Sequence, residues 1–385
     1  MRISIKCLQS PYFEDFITQI KHCLDQLNLL VINNNDYNIV KMTLFTDCWY
    51  KEDFKVKSLL LNEYVDSKSS FNFPISLVSQ PTINGGMTME AWLLECSENE
   101  FSISFSKTNH SSVLCLDNSN YSLLLSNQCS FEHTDFKDNV LSTFNLLDKT
   151  LYENGFDYNE IVRQWNYIEN ITMLDDVEDK QLQNYQIFND IRTLFYNKSS
   201  FVNGYPAATG IGIENGGCRV EVIALKQKNE NTVFPITNSL QVDAHKYSEI
   251  VLVGNAIAEI KKVSTPKFER AKALHLIDFG LLFVSGTASI VGEQTVFMDN
   301  VEKQTITTIE NIEHLISVNN LIKNKITVTS YPELINYRVY LKNKSDYKIV
   351  KLLCDAHFGI KKSIFVKADI CRSNLLVEIE AIYSI

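Results

Sequence analysis

The sequence lacks any long hydrophobic run. No apolar stretch approaches the roughly 18 residues that a membrane-spanning helix needs, so a transmembrane reading fails. The opening residues MRISIKCLQSPYFEDF carry neither a long apolar segment nor a small-residue cleavage site, and a cytoplasmic protein is the default expectation. There is no C-x-x-C, no H-E-x-x-H and no Cys/His run with zinc spacing, so no structural metal is expected. The cysteines at 7, 23, 48, 96, 115, 129, 218, 354 and 371 are odd in number and have no close pairs, which argues against a disulfide framework. No basic stripe is present either, and the formal charge of −10 argues against a nucleic-acid partner. That charge sets a condition on any small substrate. A dianion would approach against the overall field and would need arginines placed locally in a pocket.

What is there reads as ordinary globular protein. The 385 residues are 45% hydrophobic and 21% charged, enough for two or three domains with normal cores. The first 150 residues mix strands and helices with polar connectors such as NNNDYN at 33–38, and MTMEAWLLEC after Gly85-Gly86 reads as a strand following a turn. Further on, LQNYQIFNDIRTLFY has apolar residues at Tyr185, Phe188, Ile191, Leu194 and Phe195, a helical period. GYPAATGIGI is a turn leading into a strand, and CRVEVIALK alternates as a strand does. A second pass of the same order follows. VEKQTITTIENIEHLI is helical, YRVYL is a strand, YKIVKLLCDAHFG is a helix closed by Gly359, and IFVKADIC and LLVEIEAI are strands. The order of helix then strand pair occurs twice, ending in V-E-V-I-A and V-E-I-E-A. This predicts two related α+β units sharing a core.

The second unit resembles the RidA/YjgF family through Ser285-Gly286, Gln304 with Asn311-Ile312, and the closing VEIEAI. A fuller resemblance, over roughly residues 79 to 385, is to the chorismatase family. It rests on SQP and EAW near 79–92, RQWNYIENI, YQIFNDIR, PAATGIG, FERA, SGTASIVG and ADICRSNLLVEIEA. The resemblance implies an α+β fold of two RidA/YjgF-like units with mixed sheets packed on helices. Residues 1–226 would form a degenerate N-terminal unit with a helix over 181–197, and 227–385 a C-terminal domain carrying the catalytic glutamate. It also implies chorismate as substrate and no cofactor. A chain holding two such units could build its site internally and act as a monomer.

Chorismate is a cyclohexadiene dicarboxylate carrying an enol ether. Cleaving that ether requires a proton on the enolpyruvyl methylene carbon, which suits a carboxylic acid of raised pKa. The two carboxylates call for arginine partners. On residue type alone Glu378 reads as a solvent-facing strand glutamate, since Glu is mostly exposed; by resemblance it matches the family's catalytic glutamate. Alternation puts Glu378 and Glu380 on one face and Val377 and Ile379 on the other. Tyr185 and Arg192 lie seven apart on one helix face, where the bland reading is a surface arginine beside a core tyrosine. The resemblance makes both substrate-binding, with Arg192 reaching a carboxylate. It adds Arg270 in FERA, Tyr247 and Arg372 to that set. A longer stretch than the family's, SEIVLVGNAIAEIKKVST, separates Tyr247 from Arg270. Arg163, Trp165, Asn166 and Tyr167 form a family signature that either positions the site or packs beneath it. PAATGIG and SGTASIVG lack the glycine spacing of a nucleotide loop and read as pocket walls.

Within the family, Ala288 in the SGTAS turn and Cys371 in ADICR match the branch that makes 3-hydroxybenzoate. Cys371 would steer aromatisation, against the plain reading of a buried inert cysteine. Two alternatives stand beside this one. One is hydrolysis to a dihydroxycyclohexadiene carboxylate, or a mixture of 3- and 4-hydroxybenzoate. The other is a RidA-like binding or imine-handling protein, which Ala208 in PAAT, near the place of that family's arginine, counts against.

Overall fold

In the computed structural model, three large sheets repeat one order of strands around a shared interior. The structure describes residues 2–13, 15–31, 37–68, 70–95, 100–177, 180–228, 233–276, 279–328, 330–360 and 363–385. The polar run 33–38 falls mostly outside them. The first unit comprises β1 (Arg2–Gln9), α1 (Phe16–Val31), β2 (Tyr37–Thr46), α2 (Lys51–Asp66), β3 (Ile75–Ser79) and β4 (Met87–Glu95), in the sheet order β1-β4-β2-β3. The second contains β5 (Ser102–Lys107), β6 (Ser111–Asp117), β7 (Tyr121–Ser130), α3 (Phe136–Glu153), β8 (Ile161–Glu169), a small hairpin of β9 (Leu174–Val177) and β10 (Lys180–Gln183), α4 (Asn184–Tyr196), β11 (Ala207–Ile213) and β12 (Cys218–Gln227). Its order is β11-β8-β12-β7-β6-β5.

The third unit has β13 (Val233–Ile236), β14 (Ala271–His275), β15 (Gly280–Ala288), a hairpin of β16 (Ile290–Val291) and β17 (Gln294–Thr295), α5 (Val301–Ile316) and α6 (Val318–Lys323). It closes with β18 (Glu333–Leu341), α7 (Tyr347–Phe358), β19 (Ile364–Lys367) and β20 (Val377–Ser384). Its order, β13-β14-β15-β20-β18-β19, is that of the second unit strand for strand. In both, the strand before the final hairpin partner pairs in parallel (β11 with β8, β19 with β18) and the last strand runs antiparallel between two neighbours. The fold is therefore α+β with mixed sheets, and the two expected units are present over 102–227 and 233–384. The stretch 1–226 holds more than one sheet. Its first part repeats the last four strands of the pattern, with β2 parallel to β3 and β4 antiparallel between β1 and β2. Among the described residues no helix is long and apolar enough to cross a membrane.

Alternation divides the side chains of each sheet between two environments. One face packs on its unit's helices. On β20, Val377, Ile379 and Ala381 join Ile309, Ile312 and Leu315 of α5 in one apolar cluster. In the second unit, Val220 and Val222 of β12 meet Val140, Phe144 and Leu147 of α3. The other faces of all three sheets meet in a common core that includes Leu44, Trp92, Trp165, Phe283 and Tyr340. Helix ends are fixed locally: Asp135 accepts from the Lys137 amide at the start of α3, Asn300 accepts from Lys303 at the start of α5, and Gly359, at φ 77°, closes α7.

The common core is not wholly apolar. Each unit sends one glutamate from its last strand toward the centre: Glu90, Glu221 and Glu380, each fully or almost fully buried. Register places them opposite Thr43, Trp165 and Arg338 of the neighbouring strand. Two residues before each of those stands Lys41, Arg163 or Asn336, and each reaches the glutamate of a different unit. Lys41 Nζ lies 2.6 Å from Glu221, Arg163 Nη2 2.7 Å from Glu380, and Asn336 donates to Glu90 at 3.0 Å. Arg338 supplies the third cation, with Nε donating to Glu90 at 2.8 Å, a second contact through Nη2, and Nη1 at 3.3 Å from Glu380. Arg163, Glu380, Arg338 and Glu90 thus form one buried chain of ion pairs, and with the Lys41–Glu221 pair they make a charged network that reaches all three units. Burial alone would push the Glu90 carboxyl up, but Arg338 overcomes it and holds it at about 2.

Removing one member of such a buried pair leaves its partner buried and unpaired. Lys41→Met should lower stability by roughly 3–5 kcal/mol. Urea unfolding checks this, and the double variant Lys41→Met/Glu221→Leu should recover much of the loss.

Candidate active site

Between the second and third units lies a cavity enclosing about 60 Å³. Its walls come from the start of α4 (Tyr185), from β11 (Ala208 and Gly210), from β15 (Gly286 and Ala288), and from the strand edge at Arg270. The connection into β20 adds Cys371, Arg372 and Leu375, and β20 itself adds Glu378. The PAATG and SGTAS segments were read as walls, and they line the cavity. They also lock the two units together: the Ala208 amide donates to Ser285 Oγ at 2.9 Å, and the Gly286 amide to Thr209 Oγ1 at 3.0 Å. The register of β15 against β20 shifts between Val284 and Thr287, which turns Gly286 toward the acid. A Cβ at Gly286 would run into the Glu378 carboxyl, and one at Gly210 would sit 3.1 Å from the Tyr185 ring. Glycine at both places lets the acid and the phenol approach the wall.

Glu378 is only 4% exposed. Burial, joined by the nearby charge of Glu380, pushes its carboxyl up to about 8, with Arg163 opposing. Among the described residues no group donates a hydrogen bond to it. It is a neutral acid at neutral pH, with its proton free for whatever enters. Cys371 is likewise neutral: burial first, and then Glu378, push its thiol up to about 12. It shapes the wall and is neither base nor nucleophile at neutral pH. Burial also raises the Tyr185 phenol, so it remains a donor.

The cationic side is built around Tyr247. Arg270 Nη2 donates to its hydroxyl at 2.7 Å, and the guanidinium carbons of Arg270 and Arg372 lie 5.5 and 5.4 Å from its ring centroid. Arg270 also donates to the Val242 carbonyl, and Arg372 to the Glu293 carbonyl at 2.8 Å. Neither arginine has a carboxylate within 4.0 Å among the described residues. Two uncompensated guanidinium groups therefore face the neutral acid across the cavity. This arrangement can hold a dianion while protonating it.

Glu378, Cys371, Tyr185, Tyr247, Arg270, Ala288 and Arg372 all line this one cavity. Arg192 and Arg163 do not. Arg192 is buried along α4, donating to Asn189 at 2.6 Å and lying over the Phe188 ring at 5.3 Å. It feels Tyr185 electrostatically without forming the wall. Arg163 belongs to the central network and also donates to Thr209 at 2.7 Å. The rest of the RQWNY signature packs beneath the site: Trp165 Nε1 donates to Glu380 at 2.8 Å, Asn166 to the Thr209 carbonyl at 3.1 Å, and Tyr167 accepts from Arg338 at 3.0 Å. Sequence reasoning missed the wall made by Val251–Val253, Pro266 and Phe268. The apolar VLV inside the long Tyr247–Arg270 connection was its signal.

The family model described as Chorismatase FkbO/Hyg5-like, N-terminal, matches residues 105–224. A 3-hydroxybenzoate synthase of Streptomyces hygroscopicus is 32% identical over 234 residues, which cover 59% of this chain and 64% of that protein. A chorismatase of Streptomyces rapamycinicus is 31% identical over 181 residues, covering 46% of this chain and 50% of that one. Both alignments span less than two thirds of the relative's own length. A crystal structure of a chorismatase superposes with a TM-score of 0.71 at 20% identity, covering 100% of this chain and 99% of that one, and so shares its fold. The chain is thus similar to chorismatases in sequence over part of its length and shares their fold along all of it.

The raised acid has a consequence for stability. Glu378 titrates near 8 in the folded chain against an ordinary 4.5, so the folded state keeps a proton that the unfolded chain releases. The associated stability is fully present below about 4.5 and is lost as pH rises through about 8. Glu378→Gln carries no such titration. Its stability relative to the parent, measured by urea unfolding, should rise by a few kcal/mol (order of magnitude only) between pH 5 and pH 9.

Proposed function

We propose that this chain cleaves chorismate, releasing the enolpyruvyl group as pyruvate and leaving 3-hydroxybenzoate. The observation that carries this reading is the neutral Glu378 carboxyl, free of hydrogen-bond donors and set in one cavity with Arg270 and Arg372, neither of which has a carboxylate within 4.0 Å among the described residues. Names of relatives, a 3-hydroxybenzoate synthase and chorismatases, support the substrate class.

In the proposed reaction Arg270 and Arg372 take the substrate carboxylates, with the Tyr247 and Tyr185 hydroxyls completing the hydrogen bonds. Glu378 gives its proton to the enolpyruvyl methylene carbon. Positive charge then develops on the ether carbon and oxygen while the Glu378 carboxylate forms beside it. A site that disfavours that carboxylate when empty is relieved when a cation appears next to it, so the interaction strengthens toward the transition state. Arg192, behind Tyr185, and Arg163, behind Glu380, are positioning residues. Cys371 and Ala288 shape the wall against the ring. Chorismate is isomeric with 3-hydroxybenzoate plus pyruvate, so the net reaction takes up no water, whereas the diene diol requires one. A neutral thiol at Cys371 fits a role in steering the rearrangement by shape. The cavity is assembled from two units of one chain, and a single copy suffices to build it.

Incubation with chorismate, with both products identified, tests the whole reading; absence of pyruvate overturns it. Glu378→Gln should cut pyruvate release by at least about 10³-fold, measured by a coupled pyruvate assay. In the parent the rate should fall as pH rises past about 8, as the acid loses its proton. Cys371→Ala should shift the product toward the diene diol at similar pyruvate yield, read by chromatography of the aromatic fraction; an unchanged product ratio removes Cys371 from the product choice.

A further inference from the structure

Three related units make three interfaces, and each opens a cleft from the same elements. Register fixes which residues correspond. In the active cavity Ala208 and Gly210 flank Thr209, the partner of Trp165, while Ala288 sits opposite Glu378. Between the first and second units, Ile75 and Leu77 flank Ser76, the partner of Thr43, and Cys129 sits opposite Arg219. All four of these line a cleft of about 50 Å³. Between the third and first units, Thr88 takes the corresponding place, opposite Gln9. One backbone position thus carries the acid Glu378, the cation Arg219 and the neutral Thr88 in the three clefts.

Arg219 is buried to within 7% exposure, yet no carboxylate lies within 4.0 Å of it among the described residues. The other cations around the cleft are compensated: Lys107 is 2.7 Å from Asp66, and His110 is 3.6 Å from Glu132 on the solvent side. Asn62, Asn127 and Ser112 add polar groups, and Leu61 and Phe131 an apolar floor. Its side-chain partner in the cleft is Cys129, and a buried guanidinium facing a cleft with no carboxylate beside it leaves an ion pair incomplete.

We propose that this cleft is an anion site in which Arg219, flanked by His110, seats a small carboxylate. Cys129 reports the same field. Burial would raise its thiol, but Arg219 and His110 overcome that and lower it, whereas Cys23, Cys48, Cys115, Cys218, Cys354 and Cys371 are all raised. The site is the counterpart of the active cavity with the reacting acid exchanged for a binding cation, so it holds an anion and does not protonate it.

Carboxymethylation tests this on the intact chain, mapped by peptide mass spectrometry. The Cys129 sulfur displaces iodide from the CH₂ carbon of either iodoacetate or iodoacetamide, so the two reagents differ only in charge. The rate ratio of iodoacetate to iodoacetamide should be about tenfold higher at Cys129 than at the partly exposed Cys115. Acetate should protect Cys129 and leave Cys115 unaffected. Arg219→Gln should collapse the ratio to that of Cys115, and Arg219→Lys should keep it. Equal ratios at the two cysteines in the parent chain, equal protection by acetate, or a Cys129 that neither reagent reaches while Cys115 reacts would each overturn the proposal. None of these readouts involves chorismate, so they stand or fall apart from the proposed reaction.

Discussion

The buried charged network of Lys41, Glu221, Arg338, Glu90, Arg163 and Glu380 constrains everything else in this fold. Six charges taken out of water are tolerable only because they sum to zero and meet at hydrogen-bond distance. The pairs Lys41–Glu221, Arg163–Glu380 and Arg338–Glu90 each join two different units, so the network exists only when all three sheets dock together. It also fixes register. A one-residue slip of β20 would turn Glu380 into the apolar cluster under α5 and leave Arg163 and Arg338 facing an isoleucine or an alanine. Ion pairs of this kind add less net stability than specificity, and here the specificity is three-way.

The same network sets the chemistry two residues away. Glu378 and Glu380 share one face of β20, so whatever fixes the second aims the first. Glu380 is satisfied by Arg163, Arg338 and Trp165, while Glu378 receives nothing. One carboxylate is tied down as an anion and its neighbour is thereby discouraged from becoming one. This is the division of labour that lets adjacent acids hold different protonation states at one pH. Arg163 acts through Glu380 and never touches the cavity, which accounts for a signature whose purpose was opaque from its residues.

How much of this was legible in the sequence follows from range. Period and alternation are local, so α4, α5 and α7, the strand β20 and the shared face of Glu378 and Glu380 were readable. Helical spacing also put Tyr185 and Arg192 on one face. It could not say how deep each lies: seven residues are about 10 Å along the axis. That distance carries Arg192 past the cavity into the bundle behind Tyr185. The first unit was hidden because it lacks the two leading strands of the pattern, although MEAW in β4 repeats the glutamate of VEIEA. The partners of Arg163 and Arg338 were out of reach for a different reason. They lie on other units, at separations that no periodicity connects.

Why only one of the three clefts bears a buried acid can be argued from the wall residues. Where the active cavity has Ala208 and Gly210, the first-second cleft has Ile75 and Leu77, and the third-first cleft has Ser363 and Phe365. Larger side chains at the second wall position fill the space that Gly210 leaves for the Tyr185 ring. On the facing strand, Gly286 admits the Glu378 carboxyl, whereas the second unit places Asn127 beside Cys129. A glutamate at 219 would therefore meet a crowded wall, and one at 88 would open on a cleft of about 280 Å³, in neither case with the close backbone approach that keeps Glu378 dry and unpaired. Repetition supplied three equivalent backbones; small residues on two strands of one interface made room for an acid there and nowhere else among the described residues.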